Sequence, residues 1–400
     1  MSISPTRISR RAESVAPFYA MEFAKHAAEL QAAGHDVVKL SIGEPDFGAP
    51  PAFLAAVREL TDGRPLAYTD ALGLPELRAA IADFHATHFG AQVPAERVVV
   101  TSGASAALLL ACAALIDPGD EVLVADPSYP CNRQFAEGFG ARVRLVPTTP
   151  ATRFQLTADL VAETWGRDTR GVMIASPSNP TGTSVPHDEL VQMCGQIGER
   201  GGWRIVDEIY LGLADDADGR GTRSILADDP DAIVVNSFSK YWGLTGWRLG
   251  WCVVPDDLVP VMERLAQNYY ICPPTPSQLA ALTCFTDETL VLAQARREEF
   301  RIRRDLVIDG LARIGLDVPV VPDGAFYVYI DVRSTGLTSW EFCARALHEA
   351  HVSLTPGKDF GHHTADDHIR LSYAASVDDL TEGIRRLGEF VSSLPTHGGR

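Results

Sequence analysis

Short apolar runs rich in β-branched residues recur through the first two thirds of the chain and alternate with helical stretches. Seven runs are predicted as strands, at 97–101, 121–125, 143–147, 171–175, 203–206, 232–236 and 249–254. Because these runs are almost continuously apolar, the pattern predicts a mostly parallel sheet covered by helices on both faces. The last run follows its predecessor after too few residues for a crossover helix, so it is expected to run antiparallel.

The pattern changes after Pro273 and Pro274. A long helical stretch is predicted over 277–314, with a break near 286–287, and its charged portion at 296–304 is expected to be a solvated face. Short strands at 326–332, 352–354 and 369–373 then alternate with helices at 339–350 and 377–392. This part of the chain is expected to form a smaller α+β domain.

The predicted fold class is therefore α/β, with a large domain built on a mostly parallel seven-stranded sheet sandwiched by helices, plus a smaller α+β domain. Near the beginning, a helix is predicted over 20–33 and a strand over 37–42. We expect three parts: an N-terminal segment, 1–47, that packs with the small domain, a large ligand-binding domain, 48–285, and a small C-terminal domain, 286–400.

Composition narrows the function classes. The 400 residues carry a formal net charge of -17, which argues against sequence-independent nucleic-acid binding and against docking on anionic membranes. Seven cysteines form no CxxC pair, so reduced thiols are expected rather than a disulfide framework or a zinc site. The Ser-Arg-Arg at 9–11 is not followed by an apolar region, and the expected location is the cytoplasm.

The strand end at 237–240, Ser-Phe-Ser-Lys, carries the most informative chemistry. Ligands bind at the carboxyl ends of strands in open α/β sheets, so Lys240 is a candidate for carbonyl chemistry. Ser237, Ser239 and Arg248 could together hold a phosphate, since a guanidinium binds phosphate oxygens in a fork and hydroxyls add neutral donors. A lysine amine beside a phosphate cradle is what a Schiff-base pyridoxal phosphate site requires.

Other strand ends add candidates for the same site. Small residues at the start of a helix let backbone N–H groups approach a phosphate, an aromatic ring could stack on a planar cofactor, and a carboxylate could pair with a ring nitrogen. The residues concerned are Gly103, Ala104 and Ser105 for the phosphate, Tyr129 for stacking, Asp207 for the ring nitrogen, and Asn179 and Tyr210 as hydrogen-bond partners. Each also has a structural alternative, as a helix cap or a core side chain.

Taken together, these segments resemble the class I aminotransferases of the fold-type I pyridoxal phosphate enzymes over nearly the whole chain. The resemblance rests on Ser-Asn-Pro-Thr-Gly at 178–182, Asp-Glu-Ile-Tyr at 207–210, the 237–240 segment with Arg248, and Arg-Leu-Ser-Tyr at 370–373, in the family's order and spacing. Segments 43–47 and 324–327 are also similar to family segments.

The resemblance implies a role for each of these residues. Lys240 forms the covalent link to pyridoxal phosphate and moves the proton, Asp207 keeps the pyridine nitrogen protonated, and Tyr210 bonds the ring oxygen with Asn179. It implies that Tyr129 stacks on the ring and that the phosphate is held by Gly103, Ala104, Ser105, Ser237, Ser239 and Arg248. The substrate carboxylate is implied to bind Arg370, with help from Asn179 and the Gly43 backbone.

Two further expectations follow from the resemblance. The family tyrosine that matches Tyr68 contacts the cofactor phosphate of the partner subunit, which implies a homodimer. Aspartate-using bacterial relatives often have a lysine at the position of Ser105 and hydroxyl residues near Phe18 and Tyr19. Here the positions hold a neutral hydroxyl and two aromatic residues, so a neutral amino donor, such as alanine or a larger one, is expected, with a 2-oxo acid such as 2-oxoglutarate as acceptor.

Two alternatives stay open at this point. The same fold and lysine support a carbon-sulfur β-lyase, which would release pyruvate and ammonia without an added 2-oxo acid. A non-catalytic module that senses pyridoxal phosphate is the alternative from another class. It is disfavoured because each catalytic position of the family is filled, by Lys240, Asp207 and Tyr210.

Overall fold

A computed structural model describes residues 7–215 and 222–395 of the chain. Its helices are α1 (Arg10–Ser14), α2 (Tyr19–Ala32), α3 (Pro51–Glu59), α4 (Pro75–His88), α5 (Ala104–Leu115), α6 (Pro130–Gly138), α7 (Ala158–Thr164), α8 (His187–Glu199), α9 (Val259–Tyr269), α10 (Thr275–Ala281), α11 (Asp287–Arg313), α12 (Ser339–Glu349) and α13 (Val377–Ser393). Its strands are β1 (Val38–Lys39), β2 (Val98–Thr101), β3 (Glu121–Asp126), β4 (Arg142–Pro147), β5 (Thr169–Ala175), β6 (Trp203–Asp207), β7 (Ile233–Ser237), β8 (Gly250–Val253), β9 (Tyr327–Asp331), β10 (Val352–Ser353), β11 (Thr355–Pro356) and β12 (His368–Ser372).

The large sheet has seven strands in the order β2-β8-β7-β6-β5-β3-β4. Strand β8 is antiparallel to both neighbours, and the other pairings are parallel, which confirms the predicted topology. Side chains alternate between two apolar clusters: Val98 and Val100 belong to one, whereas Val99 belongs to the other. Since successive side chains of a strand point to opposite faces, the sheet is buried on both sides.

A second sheet, in the order β11-β12-β9, is antiparallel and lies in the C-terminal part of the chain. Strand β1 pairs in parallel with β10, with Val38 opposite Val352. The beginning of the chain is thereby hydrogen-bonded to its C-terminal part. The boundaries at 47 and 285 stay a prediction.

The long helical stretch is confirmed, but the expected solvated face at 296–304 is wrong for three of its residues. Helix α11 begins after Thr286, whose side chain accepts a hydrogen bond from the Thr289 N–H. Phe300 is only 3% exposed, and Arg303 is buried with its guanidinium 2.8 Å from Asp46. Arg304 is ion-paired with Asp215. These charges are compensated by residues that are remote in sequence, so the helix can pack its charged part inward.

No helix in the two described stretches of the chain is long and apolar enough to cross a membrane.

Candidate active site

The predicted site residues collect at the carboxyl edge of the large sheet. Asp207 ends β6 and Ser237 ends β7, whereas Gly103 follows β2 and caps α5. Because β8 runs in the opposite direction, Arg248, two residues before this strand begins, returns to the same edge. Topology alone therefore gathers side chains that are up to 145 residues apart into one cleft.

Lys240 lies three residues beyond the end of β7, and its side chain is partly buried. Its Nζ donates a 2.6 Å hydrogen bond to the Gly43 carbonyl and lies 5.9 Å and 5.8 Å from the ring centroids of Tyr210 and Phe326. Burial lowers the pKa of the Lys240 amine to about 8. The amine therefore loses its proton more readily than an ordinary lysine, which suits a nucleophile or a proton carrier near neutral pH.

Asp207 is the buried carboxylate of the site. It accepts a 3.1 Å hydrogen bond from the Ile209 N–H. Burial raises the pKa of Asp207 to about 6, against the opposing effects of that N–H and of the Lys240 charge. A carboxylate in such surroundings is stabilised by a cation placed beside it.

Tyr210 and Tyr327 form a hydroxyl pair above the sheet edge. Their hydroxyl oxygens are 2.9 Å apart, both rings are buried, and burial raises the pKa of each phenol. The sequence does not single out Tyr327 as a site residue, although segment 324–327 is similar to a family segment. An added Cβ at Gly43 would lie 2.9 Å from the Tyr327 hydroxyl, so this phenol also forms the wall beside the 43–47 loop.

Arg370, in β12, is 2% exposed and carries the site's buried positive charge. Its Nη1 donates to Asn179 Oδ1 at 2.8 Å, and its Nη2 donates to the Ser41 carbonyl at 2.7 Å and to Thr355 Oγ1 at 3.2 Å. The guanidinium lies 4.5 Å from the Tyr327 ring centroid. No ion pair among the described residues involves Arg370, and its Nε has no hydrogen-bond partner there.

The geometry around Arg370 is suited to an anion. A buried charge without a counter-charge is costly, and the contacts to Asn179, Ser41 and Thr355 compensate it only with neutral groups. A carboxylate that enters from the cleft would supply the missing partner. Ser41 and Thr355 were missed by sequence reasoning, because their part in the site comes from the pairing of remote segments.

The candidate phosphate residues lie together. Gly103 has a φ of 84°, and an added Cβ there would lie 2.7 Å from Nη2 of Arg248, so only glycine leaves this space open. The hydroxyl oxygens of Ser237 and Ser239 are 2.9 Å apart. Ala104 and Ser105 open α5, whose first N–H groups have no partner within the helix. Free N–H groups, hydroxyls and a guanidinium are the donor set that a phosphate needs.

Three aromatic candidates occupy different places. Tyr129 precedes α6 and is partly buried, and burial together with Cys131 raises the pKa of its phenol. The Phe18 ring lies 6.3 Å from the Tyr129 ring in an edge arrangement. The Tyr19 ring instead packs edge-on against Trp340 at 5.3 Å. The structure therefore brings Phe18 to Tyr129, and Tyr19 to α12.

Tyr68 stands apart from the rest of the candidate site within this single chain. It is 77% exposed. The loop that carries it is held by hydrogen bonds from Thr275 Oγ1 to the Ala67 carbonyl and from Gln278 Nε2 to Thr69 Oγ1. A large aromatic side chain is thus presented to solvent on a fixed loop.

Comparisons with known proteins agree with this geometry. The family described as aminotransferase class I and II matches residues 35–387. A valine–pyruvate aminotransferase of Mycobacterium tuberculosis is 41% identical over 387 residues, which cover 97% of this chain and 99% of that protein. The crystal structure of an aminotransferase from the same organism aligns with a TM-score of 0.93 at 41% identity, over 97% of this chain and 100% of that one. The aspartate aminotransferase of Thermus thermophilus with maleate aligns with a TM-score of 0.90 at 32% identity, over 96% and 99%.

These matches span the large sheet, the C-terminal part and every strand-end segment described above. The chain therefore belongs to the class I and II aminotransferases, the pyridoxal phosphate-dependent transaminases of fold type I.

Proposed function

We propose that this transaminase moves the amino group of an L-amino acid with a neutral side chain, alanine or a larger aliphatic or aromatic one, to a 2-oxo acid such as 2-oxoglutarate. The observation that carries the proposal is the presence, in one cleft, of a partly buried lysine and a buried arginine that suit different tasks. Lys240 has an amine whose pKa is lowered, whereas Arg370 has a fixed charge without a carboxylate partner. The first suits proton transfer and the second suits an α-carboxylate.

The residues of the cleft fit pyridoxal phosphate. The space that the missing Cβ of Gly103 leaves beside Arg248, the hydroxyls of Ser237 and Ser239, and the first N–H groups of α5 form a cradle for the phosphate. The buried carboxylate of Asp207 suits a protonated ring nitrogen. Asn179 and Tyr210 would bond the ring oxygen, and Tyr129 would stack on the ring.

When bound, pyridoxal phosphate supplies an electron sink that stabilises negative charge at the substrate Cα. Asp207 would keep the positive charge at the ring nitrogen, because a buried anion raises the proton affinity of a neighbouring base. Lys240 would take the proton from the substrate Cα and deliver it to C4' of the cofactor, a transfer made fast by the fixed position of the amine. Arg370 would orient the substrate by a bidentate bond to its α-carboxylate, helped by Asn179 and the Gly43 backbone.

The side-chain end of the cleft favours a neutral donor. Ser105 offers a hydroxyl, and Phe18 with Tyr129 offers aromatic surface. A distal carboxylate there would be desolvated without a cation from these residues. The name of the Mycobacterium tuberculosis relative, valine–pyruvate aminotransferase, supports a neutral donor and makes pyruvate an acceptor to test beside 2-oxoglutarate.

We also propose a homodimer in which Tyr68 contacts the cofactor phosphate of the partner subunit. Its 77% exposure, with Leu66, Tyr269 and Ile271 also exposed, supports an interface on this side of the chain. The cytoplasmic location expected from the sequence is part of the proposal, and the seven free cysteines support a reducing compartment.

A half-reaction screen tests the function. The purified protein, loaded with pyridoxal phosphate, is mixed with each L-amino acid, and the absorbance change from the pyridoxal to the pyridoxamine form is followed. Conversion by neutral amino acids, and reversal by pyruvate or 2-oxoglutarate, are expected. Steady release of pyruvate and ammonia without a 2-oxo acid would instead indicate a β-lyase, and no conversion by any amino acid would overturn the proposal.

A further inference from the structure

The first turn of α2 has no cap of its own. Phe18 is the N-cap residue, and its side chain cannot accept a hydrogen bond. The carboxylate of Asp359 supplies the cap from 340 residues away: Oδ1 accepts from the Tyr19 N–H at 2.9 Å and Oδ2 accepts from the Ala20 N–H at 3.0 Å. Asp359 is 4% exposed. A buried anion at a helix N-terminus is favourable both as a cap and through the helix dipole.

The residues on either side of Asp359 contact other parts of the cleft. Lys358 Nζ lies 5.9 Å from the Tyr19 ring centroid. The Phe360 ring lies 5.0 Å from the Arg370 guanidinium, and the Phe360 carbonyl accepts a 2.8 Å hydrogen bond from the N–H of Ser128, the residue before Tyr129. The short segment 358–360 thus contacts α2, the Arg370 site and the Tyr129 loop.

We propose that Asp359 is a positioning residue for substrate specificity: it fixes the first turn of α2 so that Phe18 stands opposite Tyr129 as a wall of the pocket for the substrate side chain. The proposal rests on the proposed transaminase function and on a neutral donor. A large side chain would contact this wall, whereas the methyl group of alanine would contact little of it. Loss of the cap should therefore weaken the use of large donors and spare alanine.

The carboxylate is also placed to make this effect depend on pH. Burial raises the pKa of Asp359 to about 6, and the two N–H donors and Arg370 oppose the shift, whereas Glu22 adds to it. Cys131 and Lys358 are the other titratable groups next to it. Below about pH 6 the carboxyl gains a proton and becomes a weaker acceptor for the N–H groups of Tyr19 and Ala20.

The test compares kcat/KM for leucine and for alanine in the cofactor-loaded enzyme. In Asp359→Asn, which keeps the shape but loses the charge, the leucine-to-alanine ratio should fall about tenfold, as for the loss of a charge-assisted hydrogen bond. In the wild type the ratio should fall as the pH drops from 7 to 5, and in Asp359→Asn it should be flat. Taking a ratio cancels the titration of Lys240 and Asp207, which both donors share.

Two further variants separate positioning from stability. Thr157→Ala removes the cap of α7, where Thr157 accepts from the Leu160 N–H at 3.1 Å, and it should leave the ratio unchanged. Phe18→Ala should lower the ratio as Asp359→Asn does, and the double variant should be no worse than either alone. If Asp359→Asn does not fold, the leucine-to-alanine ratio in Phe18→Ala and its pH dependence in the wild type still test the proposal.

Hydrogen exchange keeps the two proposals distinguishable. The amides of residues 19–24 should exchange faster in Asp359→Asn than in the wild type, whatever reaction the enzyme performs. If no amino acid is converted while exchange rises as expected, the proposed function fails, whereas the capping of α2 by Asp359 stands. An unchanged ratio would overturn the role of Asp359 in specificity, and unchanged exchange would overturn its role as the cap of α2.

Discussion

The guanidinium of Arg370 donates a 2.8 Å hydrogen bond to the side-chain oxygen of Asn179, across 191 residues of sequence. The bond joins β12 of the C-terminal sheet to the loop that follows β5 of the large sheet. It fixes a positive charge at the junction of the two sheets, beside Tyr327 and within the electrostatic field of Lys240. If Arg370 binds the substrate carboxylate as proposed, the position of that carboxylate is set jointly by both parts of the fold.

Replacing Arg370 with lysine should separate charge from geometry. Arg370→Lys keeps the positive charge but loses the planar fork, so KM for the amino donor should rise and kcat/KM should fall about 100-fold, or ~2.7 kcal/mol. Arg333→Lys, at an exposed arginine paired with Asp331, is the matched control and should change neither constant. A fall of less than threefold in Arg370→Lys would show that the carboxylate binds elsewhere.

Replacing Lys240 should remove activity without removing the bound cofactor. Lys240→Ala should abolish transamination, because among the described lysines it is Lys240 whose amine contacts the Gly43 carbonyl beside Tyr210 and Phe326. The cradle formed with Arg248 and Ser237 should still hold the cofactor noncovalently. The measurements are steady-state turnover and borohydride trapping of the cofactor on the protein. Lys25→Ala, at an exposed lysine near Glu29, is the control. Borohydride trapping of the cofactor at near wild-type yield in Lys240→Ala would show that Lys240 does not form the covalent link.

Glu208 should make folding stability depend on pH. Burial raises the pKa of Glu208 from 4.5 to about 7, and its Oε2 has no hydrogen-bond partner among the described residues. Between pH 4.5 and 7 the folded state therefore holds a proton that the unfolded state has lost. The protonated Glu208 side chain therefore stabilises the folded state at low pH. This contribution to the free energy of unfolding, roughly 3 kcal/mol, is lost as the pH rises from 4.5 through 7.

Glu208→Gln tests whether stability falls with rising pH because of this group, since glutamine mimics the protonated side chain at every pH. Unfolding of the two proteins is compared at pH 5 and pH 8, with the exposed Glu76→Gln as control. The variant should gain stability over the wild type at pH 8 and little at pH 5. Equal pH slopes in Glu208→Gln and the wild type would contradict the buried, protonated state.

The strands and the site residues at their ends could be predicted from the sequence, whereas ion pairs between remote segments could not. The strands were predictable because β-branched runs end at polar residues, and the antiparallel β8 followed from the short link after Lys240. Site residues that end a strand, such as Asp207, were visible for the same reason. The inward packing of Arg303 and Arg304 could not be predicted from the sequence, since their partners Asp46 and Asp215 come from distant loops.

Other contacts in the site depend on three-dimensional packing alone. Tyr327 reads as one more apolar position in a buried strand, and only its 2.9 Å contact with the Tyr210 hydroxyl brings it into the site. Asp359 ends a short 3-10 helix, Gly357–Asp359, that carries no recognisable motif, and its partner is the first residue of a helix 340 residues earlier. Single-sequence periodicity carries no information on such pairs.

Tyr68 should link cofactor affinity to dimerisation. Tyr68→Phe removes a hydroxyl that is exposed in the single chain, so the stability of the fold should be unchanged. In a dimer, however, the dissociation constant for the cofactor should rise at least about tenfold, because a hydrogen bond to a charged group contributes roughly 1.5–3 kcal/mol. Equilibrium dialysis measures the constant and sedimentation measures the dimer. Tyr269→Phe, at a second exposed tyrosine on the side proposed as the interface, controls for the loss of an interface hydroxyl. An unchanged constant in an intact dimer would refute the contact.

Ser105 should decide between neutral and acidic donors. It is the second residue of α5, among the candidate phosphate residues, and the rings of Phe18 and Tyr129 lie 6.3 Å apart where the donor side chain is proposed to bind. We expect the wild type to prefer alanine over aspartate by at least tenfold in kcat/KM, ~1.4 kcal/mol, because an unpaired carboxylate must be desolvated without compensation. Ser105→Lys supplies a cation at this position and should narrow the gap.

The ratio of the two donors separates this effect from damage to the cradle. Weaker cofactor binding in Ser105→Lys would lower both kcat/KM values together and leave their ratio unchanged, whereas a new ion pair raises aspartate alone. Ser105→Ala removes the hydroxyl without adding charge and should keep the wild-type preference. A wild type that already prefers aspartate would place the missing cation on another residue, and Lys358, which lies next to Tyr19, is the first to replace by alanine.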